Sequence, residues 1–192
     1  VAGAGAWASG GALNTARKAM PGAGTATAGL VYGGYMSPPA AIRSVVCESY
    51  NGTAWTELAN LNTAIRYGGG CGTQTAAVSV GGDLPPSTGG CETWNGTSWT
   101  EVNAMTTART NMNAAVAGTT TAAIVAGGGE PAISNTETYN GTSWSEQGDI
   151  LEDLMNTTVV GTNTAALCID GGGNAPPWAN DTNMLWNGTS WT

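Results

Sequence analysis

Tyr50-Asn-Gly-Thr-Ala-Trp55, Trp94-Asn-Gly-Thr-Ser-Trp99, Tyr139-Asn-Gly-Thr-Ser-Trp144 and Trp186-Asn-Gly-Thr-Ser-Trp191 are four versions of one phrase. The tryptophans that close it stand 44, 45 and 47 residues apart, and Trp7 precedes the first by 48. Self-similarity at that period signals stacked supersecondary units, none of which buries its apolar face alone. Asn-Gly is the dipeptide best able to take positive φ at both central positions of a type I′ turn. Each phrase therefore predicts a hairpin with its two aromatics facing one another, a pairing that contributes about 0.2–1 kcal/mol relative to small residues. Asn51, Asn95, Asn140 and Asn187 also satisfy the N-x-[ST] glycosylation pattern, as do Asn156 and Asn180. For the four in the phrase we read turn chemistry that recurs because the fold recurs.

The rest of the unit lines up behind the hairpin. A Gly-Thr-x-Thr element recurs at Gly24–Thr27, Gly72–Thr75, Gly118–Thr121 and Gly161–Thr164 and reads as a second turn. A short apolar run follows each time, as in Ala76-Ala-Val-Ser-Val-Gly-Gly82 and Ala122-Ala-Ile-Val-Ala-Gly-Gly128. Such runs suit strands covered on both faces. Next comes a loop bearing Pro38-Pro39, Pro85-Pro86, Pro131 or Pro176-Pro177, and proline is excluded from central strands. The order is strand a, Gly-Thr turn, strand b, Pro loop, strand c, Asn-Gly turn, strand d. Four antiparallel strands per unit make a propeller blade. We therefore expect an all-β fold, a single propeller domain over 1–192 with repeats at approximately 7–54, 55–98, 99–143 and 144–191.

Gly-Gly after strand b, Glu-x-aromatic at strand c (Glu48-Ser-Tyr50, Glu92-Thr-Trp94, Glu137-Thr-Tyr139), a Trp opening strand d and Thr-Ala-Arg before strand a together resemble kelch repeats. The wording Leu13-Asn-Thr-Ala-Arg17, Leu61-Asn-Thr-Ala64 and Thr107-Ala-Arg109 is similar to kelch-like proteins of marine phage and environmental bacteria. The fourth unit departs from the pattern, with Ile150-Leu-Glu-Asp-Leu-Met155 before strand a and Met184 where the others have Glu. The resemblance implies a kelch-like β-propeller on a phage particle or extracellular appendage.

Two arrangements of the ends stay open. Five strand-d tryptophans, counting Trp7, accompany four a-b-c sets. Either Ala6–Gly10 pairs beside Asn183–Trp186, with Trp7 packing where Trp191 would otherwise lie and closing a four-bladed ring, or the chain is part of a larger propeller. Closing the ring would remove the open edges that invite aggregation. No charged and apolar leader is present, and the chain opens at Val1 rather than Met, so we expect a processed or trimmed beginning.

Composition narrows the chemistry. The net charge is −8, with only 5 Lys and Arg, which disfavours nucleic acid and anionic membranes as partners. No stretch is long and apolar enough for a helical membrane span. The chain has no His, which removes the Ser-His-Asp triad, the Cys-His pair and histidine-bound copper, the metal used by galactose oxidase on a similar propeller. Cys47, Cys71, Cys91 and Cys168 show no C-x-x-C spacing, so no zinc site is expected, and any disulfide is left open. Glu152-Asp153 are adjacent and point to opposite faces of a strand, a poor arrangement for paired-carboxylate hydrolysis. We expect no enzyme activity, no cofactor and no metal.

Recognition is expected on the face carrying the loops between strands b and c, which vary over a constant scaffold. Tyr35, Asp83 and Glu130 lie in three of these loops, and Asn174, Trp178 and Asp181 in or near the fourth. Trp178 is outside the repeat, so the fold does not require it, and an aromatic beside amides and a carboxylate suits stacking on a sugar ring. Arg17 and Arg109 occupy equivalent places before strand a, either lining the axial mouth or bonding neighbouring carbonyls. The expected function is a non-enzymatic binding or adhesion module, extracellular or on a virion surface, recognising cell-surface carbohydrate. The alternative is an architectural subunit, of a fibre or capsid decoration, packing against copies of itself or other virion proteins, with homo-oligomers open.

Overall fold

A computed structural model describes residues 10–36, 42–83, 86–112, 114–169, 171–173 and 183–192. All regular structure among them is β. The strands are β1 Gly22–Thr25, β2 Ala28–Tyr32, β3 Tyr35–Met36, β4 Ile42–Arg43, β5 Cys47–Tyr50, β6 Trp55–Glu57, β7 Gly69–Thr73, β8 Ala76–Val80, β9 Cys91–Trp94, β10 Trp99–Val102, β11 Val116–Thr119, β12 Ala122–Ala126, β13 Thr136–Tyr139, β14 Trp144–Glu146, β15 Thr158–Thr162, β16 Ala165–Ile169 and β17 Asn183–Trp186. They form antiparallel sheets β1-β2-β5-β6, β7-β8-β9-β10, β11-β12-β13-β14 and β15-β16-β17, with β3-β4 as a small hairpin inside the first Pro loop. These are the four blades of a β-propeller, in the strand order a to d expected from the repeat.

The phrase that defines the repeat does form hairpins. Tyr50 pairs with Trp55, Trp94 with Trp99 and Tyr139 with Trp144, their rings 5.0, 5.4 and 5.0 Å apart. The turn is not type I′. Gly96 has φ +93°, whereas Asn95 is not left-handed. Four residues, not two, separate the paired aromatics, and Asn95 Oδ1 accepts the N–H groups of Thr97 and Ser98, both at 2.9 Å. The asparagine therefore acts through its side chain, which bonds the turn's own backbone. Asn51, Asn140 and Asn187 repeat the contact.

Alternation along each strand sends one set of side chains to the preceding blade and the other to the next. Leu30, Tyr32 and Cys47 of the first blade pack on Ala77, Trp94 and Trp99 of the second. Tyr32 also donates its hydroxyl to Val78 O at 2.6 Å. Cys71, Val78, Val80 and Cys91 meet Ala123, Val125, Tyr139 and Trp144 of the third, and Ile124 and Ala126 meet Ala166, Cys168, Met184, Trp186 and Trp191 of the fourth. Among the described residues the core is thus three slabs between blades rather than one centre. Small residues at the a strands allow close approach there, with Gly69 against Val116 and Gly70 against the Tyr32 hydroxyl.

The innermost strands pack in the row β1, β7, β11, β15, and among the described residues β15 and β1 are not packed together as the successive pairs are. Residues 6–9, Trp7 among them, which one of the two arrangements of the ends would pair beside Asn183–Trp186, are outside the described residues. At that edge Trp191 bridges to Trp186, its ring 5.4 Å away, and Thr192 exchanges two backbone bonds with Leu185. The phrase's own last residues reach that edge, so it is not vacant. Gly10–Arg17 run along the first blade instead, where Gly11 O accepts the Trp55 indole at 3.0 Å.

Gly118 has φ +111°, and a Cβ there would collide with Ala122 O. Gly118→Ala should lower stability by more than about 1 kcal/mol, and an unchanged urea midpoint would refute this account of the turn. All four cysteines are free and buried. Burial pushes the Cys71 thiol up to about 12 and those of Cys47, Cys91 and Cys168 to about 11. At pH 8 a disulfide reagent should leave the native protein unlabelled and titrate all 4 thiols only after unfolding, and fast labelling of the native state would contradict the packing.

Candidate functional site

The segment linking each strand d to the next strand a carries the site. In three blades its backbone is tied to a buried carboxylate of the same blade's third strand. Glu48 accepts the N–H groups of Asn14 (2.8 Å) and Thr15 (3.3 Å), Glu92 those of Asn62 and Thr63 (both 2.9 Å), and Glu137 those of Thr106 (2.8 Å) and Thr107 (3.2 Å). In the fourth blade Met184 takes the place of the carboxylate, and Leu151 N–H points at its sulfur at 3.4 Å.

Two residues beyond the Arg17 position, each linker holds a residue in the left-handed region: Ala19, Tyr67, Asn111 and Asn156, at φ of 52°, 56°, 55° and 57°. Non-glycine residues there are uncommon and cluster at functional sites. Backbone bonds join the successive linkers in a row at the propeller mouth. Tyr67 N donates to Ala19 O (3.0 Å), Met112 N to Tyr67 O (3.1 Å) and Asn156 N to Asn111 O (3.1 Å). Because main-chain groups make these bonds, the side chains are free to project. Tyr67, Asn111 and Asn156 line an open groove of about 560 Å³ with Arg66, Asp83 and Glu130.

Of the residues singled out from the sequence, Asp83 and Glu130 are therefore brought together. Asp83 bonds the Arg66 guanidinium (Nε–Oδ2 2.7 Å) and lies 3.6 Å from that of Arg43. Asn111 Nδ2 donates to Glu130 at 3.3 Å. Tyr35 stands beside the groove, its ring centroid 4.8 Å from the Arg66 guanidinium and 5.2 Å from Lys18 Nζ. The hydrogen bond that Arg66 donates to Asp83 raises the Arg66 pKa above its ordinary value. Asn174, Trp178 and Asp181 lie outside the described residues.

Arg17 and Arg109 do not belong to this mouth. Both side chains are fully buried. Arg17 Nη1 donates to Gly33 O (2.7 Å) and Val46 O (2.6 Å), and Nη2 to Glu48 at 2.8 Å. Arg109 repeats this with Gly127 O and Asn135 O, both 2.8 Å, and Glu137 at 2.7 Å. The carbonyls at the ends of strands b and c point inward and need donors, and the guanidinium fork supplies them.

Sequence reasoning missed Arg66, Tyr67, Asn111 and Asn156. The available signal was positional: Tyr67, Asn111 and Asn156 each stand two residues past the place that Arg17 and Arg109 hold in their linkers. Among the described residues no three Cys, Asp or Glu side chains converge as a metal would require.

Burial acts to raise the Glu48 carboxyl, but bonds from Asn14, Arg17 and Thr15 outweigh it and leave it below the ordinary carboxylate value. A carboxyl held lower in the folded state contributes stability that is present above its unfolded pKa and lost as pH falls through the folded value. Glu48→Gln should therefore shrink the drop in urea midpoint between about pH 7 and pH 3 relative to wild type. An equal drop in both would show that Glu48 does not carry the effect. The sequence matches no model of a known protein family and no curated protein.

Proposed function

We propose that the protein is a non-enzymatic recognition module that holds cell-surface carbohydrate in the groove at its loop face. The observation that carries this reading is the groove itself, in which Tyr67, Asn111 and Asn156 project from a hydrogen-bonded row of linkers beside Asp83, Glu130 and Arg66. A flat ring flanked by amides, carboxylates and a guanidinium matches a sugar, which offers apolar C–H faces to stack on and hydroxyls that both donate and accept. Asp83 is engaged by Arg43 and Arg66, which supports a positioning role over acid–base chemistry. The kelch-like wording of the repeat supports a place on a phage particle or extracellular appendage.

A second, architectural reading is favoured by exposed apolar residues on the fourth blade. Val160 is 48% and Leu185 60% exposed, and Leu167 beside them is only half-buried, although its counterparts Leu30, Val78 and Ile124 are fully buried between blades. An exposed apolar patch of this kind marks an association surface.

A glycan array with wild type and Tyr67→Asn tests the first reading, because asparagine tolerates the left-handed backbone and removes only the ring. Selective binding by wild type, weakened at least about tenfold in the variant (about 1.4 kcal/mol), is expected. Silence of wild type on every glycan would sink it. Concentration-dependent sedimentation abolished by Val160→Asp would then favour architecture.

A further inference from the structure

The second blade repeats the receptor that holds Arg17 and Arg109 but lacks the arginine. Gly81, Gly90 and Glu92 correspond to Gly33, Val46 and Glu48 of the first blade and to Gly127, Asn135 and Glu137 of the third. The supporting bonds are present in all three: Gly81 N donates to Gly90 O at 2.8 Å, as Gly33 N does to Val46 O and Gly127 N to Asn135 O. The residue at the arginine position is Ile65. Ile65 is buried, with its side chain against the Gly33 position of the first blade, and it supplies no donor.

What remains is a cavity of about 370 Å³ lined by Gly81, Gly90, Glu92, Thr63, Ile65 and Glu101, with no lysine or arginine in its wall. Glu92 is 6% exposed, and among the described residues no cation pairs with it. Its Oε1 takes one bond, from Thr63 N at 2.9 Å, where Glu48 Oε1 and Glu137 Oε1 each take a guanidinium bond besides the linker N–H. No donor of the described residues is directed at Gly81 O, whereas Gly33 O and Gly127 O each receive an arginine. A buried carboxylate with no cation beside it and an inward carbonyl with no donor form a charged acceptor set. The same chain shows twice which group fills it.

We infer that this cavity is a guanidinium-binding site. It accepts an arginine side chain of a partner or a small guanidino compound, with Gly81 O, Gly90 O and Glu92 as acceptors and Glu101 at the entrance. A bidentate fork matches this geometry, and a single ammonium does not span it. The site is separate from the carbohydrate groove, and the inference does not depend on that reading.

Calorimetric titration with agmatine, butylamine and the peptide acetyl-Gly-Arg-Gly-amide tests it. Saturable 1:1 binding of agmatine, of the peptide or of both is expected, with butylamine at least about tenfold weaker. Agmatine alone would identify a small guanidino ligand, and binding of the peptide an arginine side chain. Ile65→Arg places the chain's own guanidinium in the cavity and should weaken binding at least about tenfold. In unaltered protein, the amide resonances of Thr63, Gly81 and Gly90 should shift on titration, which needs no variant to fold. No binding by either guanidino probe, equal binding of butylamine, or shifts confined to other residues would overturn the inference.

Discussion

A buried carboxylate that accepts two successive backbone N–H groups of an incoming linker is the contact on which this propeller depends. Strand c and the linker meet there, and neither has another way to satisfy those groups once neighbouring blades exclude water. The contact sets the height at which each linker crosses its blade, and so the place where the next strand a begins. In the first and third blades an arginine completes it and also caps the carbonyls at the ends of strands b and c. Removing one partner of such a buried pair costs about 3–5 kcal/mol, because the remaining charge is left without compensation. The fourth blade replaces carboxylate and arginine with Met184 and Leu154, exchanging charge for packing at the same point.

Much of this architecture is legible in the repeat. The aromatic pairs across the Asn-Gly turn, the strand order and the Gly-Thr turn follow from residue types at fixed spacing. The turn type did not, because Asn95 acts through a side-chain oxygen that competes with the backbone geometry its dipeptide favours. The role of Arg17 and Arg109 was half visible: their equivalence showed that the repeat needs them, but not whether they face solvent or carbonyls. Nor does a sequence reveal that Tyr67, Asn111 and Asn156 share a left-handed conformation. An alanine, a tyrosine and two asparagines have no common chemistry, and only the backbone unites them.

The mouth and the blade interfaces are built by opposite rules. At the interfaces each position is repeated because the packing repeats, so a change in one blade shows as a gap, as at Ile65. At the mouth, backbone bonds hold the geometry and the side chains vary without penalty to the fold. Asp83, Glu130 and Tyr67 can therefore differ from their counterparts in other blades while the strands beneath them stay the same. This separation lets the side chains of one face change without disturbing the core.

The row of inner strands from β1 to β15 has a further consequence. Among the described residues the inner strands pack in sequence order, and blades so arranged behave as a short one-dimensional chain, in which local stability is a blade's own term plus the interfaces it shares. The second and third blades share two each among these residues. Opening therefore begins at the ends and moves inward, and the amide protons of β8 and β12 exchange last. Apart from Asn156, the groove draws its walls from these two inner blades and their linkers, with Asp83 and Glu130 in the loops that follow β8 and β12, so it sits over the slowest-opening part of the molecule and keeps its shape while the outer blades fluctuate.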